Sequence, residues 1–529
     1  MSGNFGWDFP YPSRRMPVLA GNAVATSQPL AAQAGVDILR RGGNAVDAAL
    51  ATAIALTVVE PTMNGIGSDA FAIIWDGRNL HGLNASGCSP RAWTPGRFAG
   101  RTTMPDSGWD SVTVPGCVSA WAALSRRFGK LPFPELFREA VRYAAEGFPV
   151  SPITAAAWAK AHERFRDFPD FQKAFCPKGR APLPGETFRL PEQAETLAFI
   201  AETRGEAFYR GPLAERIAAA SREGGGALTE EDLAAHEPFW AEPISIDYRG
   251  YTLHEIPPNG QGIAALMALG MLAGEEMAAL PADSADSVHR QVEAIKLALT
   301  DARRYVGDPR TPEVDAHALL DPAYLGQRAS SIRMDAAADP HPGRPGGGDT
   351  VYLTAADASG MMVSFIQSNF AGFGSGVVVP GTGIALQNRA SGFSLEEGHP
   401  NRAGGGKRPF HTIIPGFVTR AGQPVMSFGV MGGPMQTQGH LQMMVRLADY
   451  GQNPQAASDA PRWQWTGGRA LALENGVPRD MAEELTRRGH EIEYRDFTHF
   501  GGAQLIHRLE GGGYLAASDS RKDGQAAGY

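Results

Sequence analysis

The stretch Gly346-Gly347-Gly348-Asp349-Thr350, followed by Val351-Tyr352-Leu353-Thr354-Ala355, puts a hydroxyl residue at the start of a strand. Val351, Leu353 and Ala355 alternate with Tyr352 and Thr354, the two-residue period of an extended chain. Breaking the peptide bond between Asp349 and Thr350 gives Thr350 a free α-amine beside its own hydroxyl. An α-amine, with an ordinary pKa of roughly 7.7–8.0, can take the hydroxyl proton as general base near working pH. The glycines allow the strained backbone that Thr350 Oγ needs to attack the preceding carbonyl. The same residues also make an ordinary glycine loop feeding a core strand, and Gly-Asp-Thr alone does not separate the two.

The elements around this step read as follows. A strand over Asn22–Thr26 leads into a helix that starts at Ser27-Gln28-Pro29 and stops at Gly42-Gly43. An alanine-rich helix, Asn44 to Val59, follows and suits close packing on a sheet. Strands are expected at Ala70–Trp75 and Leu80–Asn84, around a turn at Asp76-Gly77-Arg78-Asn79. The region 155–235 is helix-rich, and Thr229 opens an acidic first turn. Strands return over Pro243–Ile256, and an amphipathic helix over Ser287–Tyr305 presents His289, Glu293 and Lys296 as a solvated or ion-paired face. Residues 335–348 read as a low-order linker abutting Thr350, as a processing site requires. Beyond Thr350 come short strands and glycine turns to about Pro434, then a helix from Thr437 to Tyr450.

At 529 residues, with 43% hydrophobic and 20% charged residues, the composition is that of a globular enzyme-sized chain. A formal net charge of −8 argues against nucleic acid or an anionic membrane surface as partner. Cys88, Cys117 and Cys176 form neither a disulfide framework nor a zinc pattern and fit a reducing compartment. The first twenty residues hold three prolines and no apolar core, so a secretory signal is not expected and the chain reads as cytoplasmic. No His, Cys or carboxylate group has ligand spacing, so neither a metal nor another cofactor is expected.

Several blocks, taken together and in order, resemble the γ-glutamyltranspeptidases, a family of N-terminal nucleophile hydrolases. They include Gly42-Gly43-Asn44-Ala45-Val46-Asp47-Ala48-Ala49, Val114-Pro115-Gly116, Gly129-Lys130-Leu131-Pro132 and Tyr305-Val306-Gly307-Asp308-Pro309. Lys407-Arg408-Pro409, Gly432-Gly433-Pro434, Asp459-Ala460-Pro461-Arg462 and the terminal Ala527-Gly528-Tyr529 complete the set. The resemblance implies an α+β fold, a four-layer αββα sandwich with a helical region in the larger piece. It implies one precursor that cuts itself into residues 1–349 and 350–529, which stay together as a heterodimer and can dimerise further. It puts Thr350 in the nucleophile's place, and Ser368 where a hydroxyl residue, usually threonine, assists it. Gly432 and Gly433 fall where backbone N–H groups form the oxyanion hole.

The departures bear on substrate. Where the family grips the glutamate α-carboxylate with arginine, this chain has Ser86, and a neutral hydroxyl cannot replace a bidentate charged contact. The acidic residue that binds the α-amine is replaced by Gly392, before Phe393. A family asparagine is replaced by Phe370, unless Asn369 restores it by a one-residue shift, and a serine pair becomes His411-Thr412. The segment between Phe393 and Lys407 is also short. Arg408 and His411, with Thr412 and Asn388, are candidates for holding the substrate, and Arg389 is a weaker one. The expected activity is an amidohydrolase acting on a small-molecule amide through an acyl-enzyme, its acyl group oxamate-like or another non-standard acid. The alternatives are γ-glutamyl hydrolysis or transfer from glutathione, and a binding scaffold of little activity.

Overall fold

The computed structural model describes residues 14–340 and 349–529. The glycine run 346–348 and the first thirteen residues, on which the linker and leader expectations partly rest, lie outside the described residues.

Fourteen strands build two seven-stranded antiparallel sheets. In chain order they are β1 Val18–Ala20, β2 Ala23–Thr26, β3 Asp69–Trp75, β4 Leu80–Asn84, β5 Phe239–Ala241, β6 Ile244–Tyr248 and β7 Tyr251–Glu255. Then follow β8 Asp349–Ala356, β9 Met362–Phe370, β10 Gly416–Arg420, β11 Gln423–Met431, β12 Gly502–Arg508, β13 Tyr514–Ser518 and β14 Gln525–Gly528. One sheet runs β14-β2-β8-β9-β3-β4-β5 and the other β1-β13-β12-β11-β10-β7-β6. After Thr350 the chain does not stay in short strands: β9 and β11 are nine residues each.

Five helices matter for the site: α1 Pro29–Arg40, α2 Ala45–Val59, α3 Gly262–Leu272, α4 Ala285–Tyr305 and α5 Met435–Ala448. Phe71, Ile73 and Tyr352 of the first sheet meet Phe417, Met431 and Ile506 of the second in one buried cluster. The opposite face of the first sheet (Ala72, Leu353, Phe365) packs on α1 and α2. That of the second (Val418, Phe428, Leu505) packs on α3, α4 and α5. Helix, sheet, sheet and helix therefore stack as the αββα sandwich the resemblance implies.

Stacking explains the polar half of β8. Tyr352 and Thr354 face the second sheet rather than water: Tyr352 Oη bonds Ser364 Oγ (2.7 Å), and Thr354 Oγ1 pairs with Ser427 Oγ. In α2, Asn44 and Asp47 cap each other reciprocally, and the Asp47 carboxylate also accepts from the N–H groups of Lys130 and Leu131. The blocks around Asn44 and Gly129 are thus one tied structure. α4 corrects the sequence reading. His289, Glu293 and Lys296 are fully buried, and Lys296 Nζ donates to Glu293 Oε1 (2.8 Å) and to Ala338 O (3.0 Å). The face is ion-paired but not solvated, because residues 333–338 and His490, which bonds His289 Nδ1 at 2.8 Å, cover it. Among the described residues, His289, Glu293 and His490 form a cluster of possible metal-ligating groups that sequence spacing does not display, and its carboxylate already faces the lysine ammonium.

Candidate active site

The start of β8 and the ends of β9 and β11 collect the chemically capable residues. β8 and β9 pair with a register shift between Asp349 and Val351, so Thr350 sits at a bulge. A bulge re-aims a side chain and is common beside active sites. Thr350 Oγ1 lies 3.1 Å from Ser368 Oγ, and Gln436 Nε2 donates to the same oxygen at 3.3 Å. Ser368 Oγ in turn accepts from the Phe370 N–H (2.8 Å). Thr350 is buried in this uncut chain.

Gly432 and Gly433 follow β11 directly, with φ of +115° and +57°, both in the region that favours glycine. A Cβ on Gly432 would stand 3.0 Å from Gly501 Cα, so the turn also needs close backbone approach. Gln436, in the first turn of α5, ties this turn to Thr350, since its N–H donates to Gly433 O (3.1 Å) while its side chain reaches the threonine. Gln261 closes the other side, donating to Thr412 O (2.7 Å) and Gly433 O (3.0 Å).

The remaining expected residues separate. Ser86 is fully buried; its hydroxyl donates to Asn84 Oδ1 (2.7 Å) and accepts from Asn259 Nδ2 (3.3 Å). Arg408 lies beyond it, donating to the carbonyls of Ser86 (2.8 Å) and Glu237 (3.1 Å) and covering the Phe239 ring. It lines a neighbouring cavity of about 480 Å³ with Cys88, His236 and Arg310. Asn388 spans two backbone groups, accepting from Ala371 N (3.0 Å) and donating to Asp106 O (2.8 Å). His411 Nε2 faces Asp69 Oδ2 at 3.0 Å; Ile413 N–H donates to Nδ1, which puts the ring proton on Nε2. Burial, reinforced by Arg389, holds His411 well below its ordinary pKa, so the ring is neutral. Burial also raises the Asp69 carboxyl to about 7 against the pull of Arg389. Thr412 Oγ1 accepts from Arg389 Nη1 (2.8 Å).

The one-residue shift that would restore the family asparagine is not made. Asn369 shares the face of Gln367, which bonds Ala53 O and Asn64 Oδ1 behind the first sheet, and Asn369 Oδ1 accepts from Ser68 Oγ there. Phe370 leaves the extended conformation at the strand's end, with φ of +75°, and its ring lies against the Arg389 guanidinium at 4.6 Å. Sequence reasoning passed over Asp69, Gln261 and Gln436. Gln436 had a local signal, three residues beyond the glycine pair at a helix start; Asp69 and Gln261 had none.

A model of the gamma-glutamyltranspeptidase family matches residues 31–529. The chain belongs to the γ-glutamyltranspeptidase family. The crystal structure of a cephalosporin acylase from Bacillus halodurans is similar, with a TM-score of 0.95, 51% identity and 99% of each chain covered. The oxamate amidohydrolase proenzyme of Klebsiella pneumoniae is 39% identical, over 96% of this chain and 98% of its own length. The glutathione hydrolase-like YwrD proenzyme of Bacillus subtilis is 38% identical, over 94% and 97%. The chain is therefore a hydrolase-type enzyme of the N-terminal nucleophile class. Among the described residues no helix is long and apolar enough to cross a membrane.

Proposed function

We propose that this γ-glutamyltranspeptidase-family chain cuts itself between Asp349 and Thr350 and then works as an acyl-amide hydrolase with Thr350 as nucleophile. The observation that carries the reading is the Thr350 hydroxyl on a bulge, in contact with Ser368 and Gln436 and beside the Gly432-Gly433 turn. In processing, Thr350 Oγ attacks the Asp349 carbonyl, the C–N bond breaks as the C–O bond forms, and water releases the Asp349 carboxylate. The freed Thr350 amine then takes the hydroxyl proton during attack on a substrate amide and passes it to the leaving amine. Water resolves the ester. The N–H groups of Gly432 and Gly433 hold the oxyanion. The pieces 1–349 and 350–529 remain one heterodimer, since β8 lies between β2 and β9 in a shared sheet. Three free cysteines support work in a reducing compartment such as the cytoplasm.

A non-γ-glutamyl acyl group fits this site better than glutamate. The Ser86 hydroxyl is neutral and already engaged by Asn84 and Asn259. The acylase and amidohydrolase names of two relatives support the same reading. Intact mass of purified wild type beside Thr350→Ala tests it. Two fragments meeting at Asp349/Thr350 in wild type and one chain in the variant are expected. A single uncut wild-type chain overturns the reading. A panel of γ-glutamyl anilide, oxamate and an acylated β-lactam then ranks the donors.

A further inference from the structure

Lys522 is 6% exposed, yet among the described residues its ammonium has no hydrogen-bond acceptor and no ion-pair partner. The buried Lys296 ammonium, by contrast, holds two oxygens. Asp523 acts on Lys522 only at longer range, because its carboxylate is committed to the N–H groups of Ile153 (3.1 Å) and Thr154 (2.9 Å) and to Thr154 Oγ1 (3.0 Å). A nearly buried charge without an acceptor is costly and calls for one from outside the chain.

Lys522 lines a cavity of about 810 Å³ between the helix Pro152–Arg164, the segment 181–184 and the short helix Phe497–Phe500. That is the size of a site for a small organic molecule. Lys160, Arg164 and His499 share the wall with Lys522, and no Asp or Glu lines it. Asp106 meets Arg164 at 3.5 Å and Asp496 meets His499 at 3.7 Å, both from outside the lining. Most of the remaining wall is apolar, and two of its large side chains, Leu183 and Phe497, are left 49% and 42% exposed. An open apolar surface beside an unserved cation matches a ligand that has both an apolar body and a negative group.

The cavity adjoins the candidate active site on two sides. Gly372 and Met63 on its wall belong to the end of β9, where Asn369 N–H donates to Met63 O (3.2 Å) one residue beyond Ser368. The Lys522 stem packs on Gly502, whose added Cβ would stand 2.6 Å from Lys522 Cγ, and the preceding Gly501 packs on Gly432.

We propose that this cavity binds an organic anion with an apolar body, a carboxylate of aromatic or alicyclic type, and that Lys522 holds the anionic group while Lys160 and Arg164 add charge around it. The site goes beyond the hydrolase reading and does not depend on it. Two sources supply this chemistry: the amine-side half of an amide substrate reaching out from Thr350, and a separate small molecule bound beside the reaction.

Equilibrium dialysis of the purified full chain tests the site with 1-naphthoate, its uncharged analogue 1-naphthalenemethanol, and acetate, which has the charge without the body. Wild type should bind one naphthoate per chain, about tenfold or more tighter than either control, as a charged hydrogen bond in a sheltered place predicts. Lys522→Met keeps the stem against Gly502 and should remove most of that advantage while leaving the alcohol's affinity in place. Should Lys522→Met not fold, Lys160→Glu, on the exposed face of the helix, should weaken naphthoate by about fivefold and not the alcohol. Naphthoate bound no tighter than the alcohol, or an affinity unmoved in the variants that fold, overturns the proposal. Inhibition of the best donor from the panel above then separates the sources. Competitive inhibition assigns the cavity to the substrate, and binding without competition assigns it to a separate anion; either upholds the site. An uncut wild-type chain overturns the hydrolase reading alone, since the dialysis needs no turnover.

Discussion

At the scale of single residues, the hydroxyl of Thr350 is held by two partners of different kinds. Ser368 stands across the strand pair at 3.1 Å, and Gln436 reaches in from the helix behind the glycine turn at 3.3 Å. A neutral hydrogen bond of this sort contributes about 1 kcal/mol, roughly a fivefold effect on a rate it supports. Gln436→Leu should therefore slow self-cleavage by about fivefold with the fold intact, read by timed intact mass of freshly translated chain. An unchanged cleavage rate would show that the contact does not act on the nucleophile. Gly432 is a stricter position. Its φ of +115° and the 3.0 Å approach of Gly501 Cα to an added Cβ leave no room for alanine. Loss of one oxyanion donor costs about 10²–10³ in rate.

At the scale of elements, the site depends on where strands end. β11 stops at Met431, the chain turns through Gly432-Gly433 into α5, and Gly501 packs against the turn just before β12. Gly501 has φ of +69°, and a Cβ there would stand 1.8 Å from Met431 O. Gly501→Ala must push the glycine turn away from Thr350. We expect a loss of at least about 1–3 kcal/mol in stability, from the strained backbone alone, together with slowed self-cleavage. Thermal unfolding and timed mass check the two effects separately. Stability lost with cleavage unaffected would mean that the turn does not serve the reaction.

For the whole molecule, the chain crosses between the two sheets at several connections, one of them the segment from β13 to β14. Asp519 is buried at that crossing. Its Oδ2 accepts from Arg462 Nη2 (2.6 Å) and Ala503 N (2.7 Å), and its Oδ1 from Arg521 N (2.9 Å) and Nη1 (3.1 Å). Arg521 continues to Glu474 Oε2 at 2.6 Å. Burial alone would raise the Asp519 carboxyl, but Arg462, Arg521 and the two N–H groups outweigh it and hold it below the ordinary carboxylate range. The sign follows. A carboxyl whose folded pKa lies below its unfolded value of about 3.9 adds stability that is fully present above that value and is lost as pH falls through the folded pKa. Asp519→Asn should cost about 3–5 kcal/mol at pH 7 by leaving two arginines short of a partner. It should also lose stability less steeply than wild type below about pH 4. Parallel unfolding-midpoint curves from pH 7 to 3 would contradict the second expectation.

What the sequence by itself determined is local. The step from Asp349 to Thr350 at a strand start, the helix stop at Gly42-Gly43, the acidic cap at Thr229 and the strand Leu80–Asn84 follow from period, turn chemistry and capping, which act over a few residues. The four-layer fold came from the resemblance that the ordered family blocks carry, not from any one of them. Tertiary structure decided the environment of each polar group. Asp69 meets His411 342 residues away, and Gln436 meets Thr350 across 86. Tyr352 and Thr354 turn inward because a second sheet lies over them, and the polar face of α4 is sealed by residues 333–338. The buried Arg389 guanidinium lies against Phe370 and donates to Thr412, surroundings set by packing that no pattern along the chain encodes.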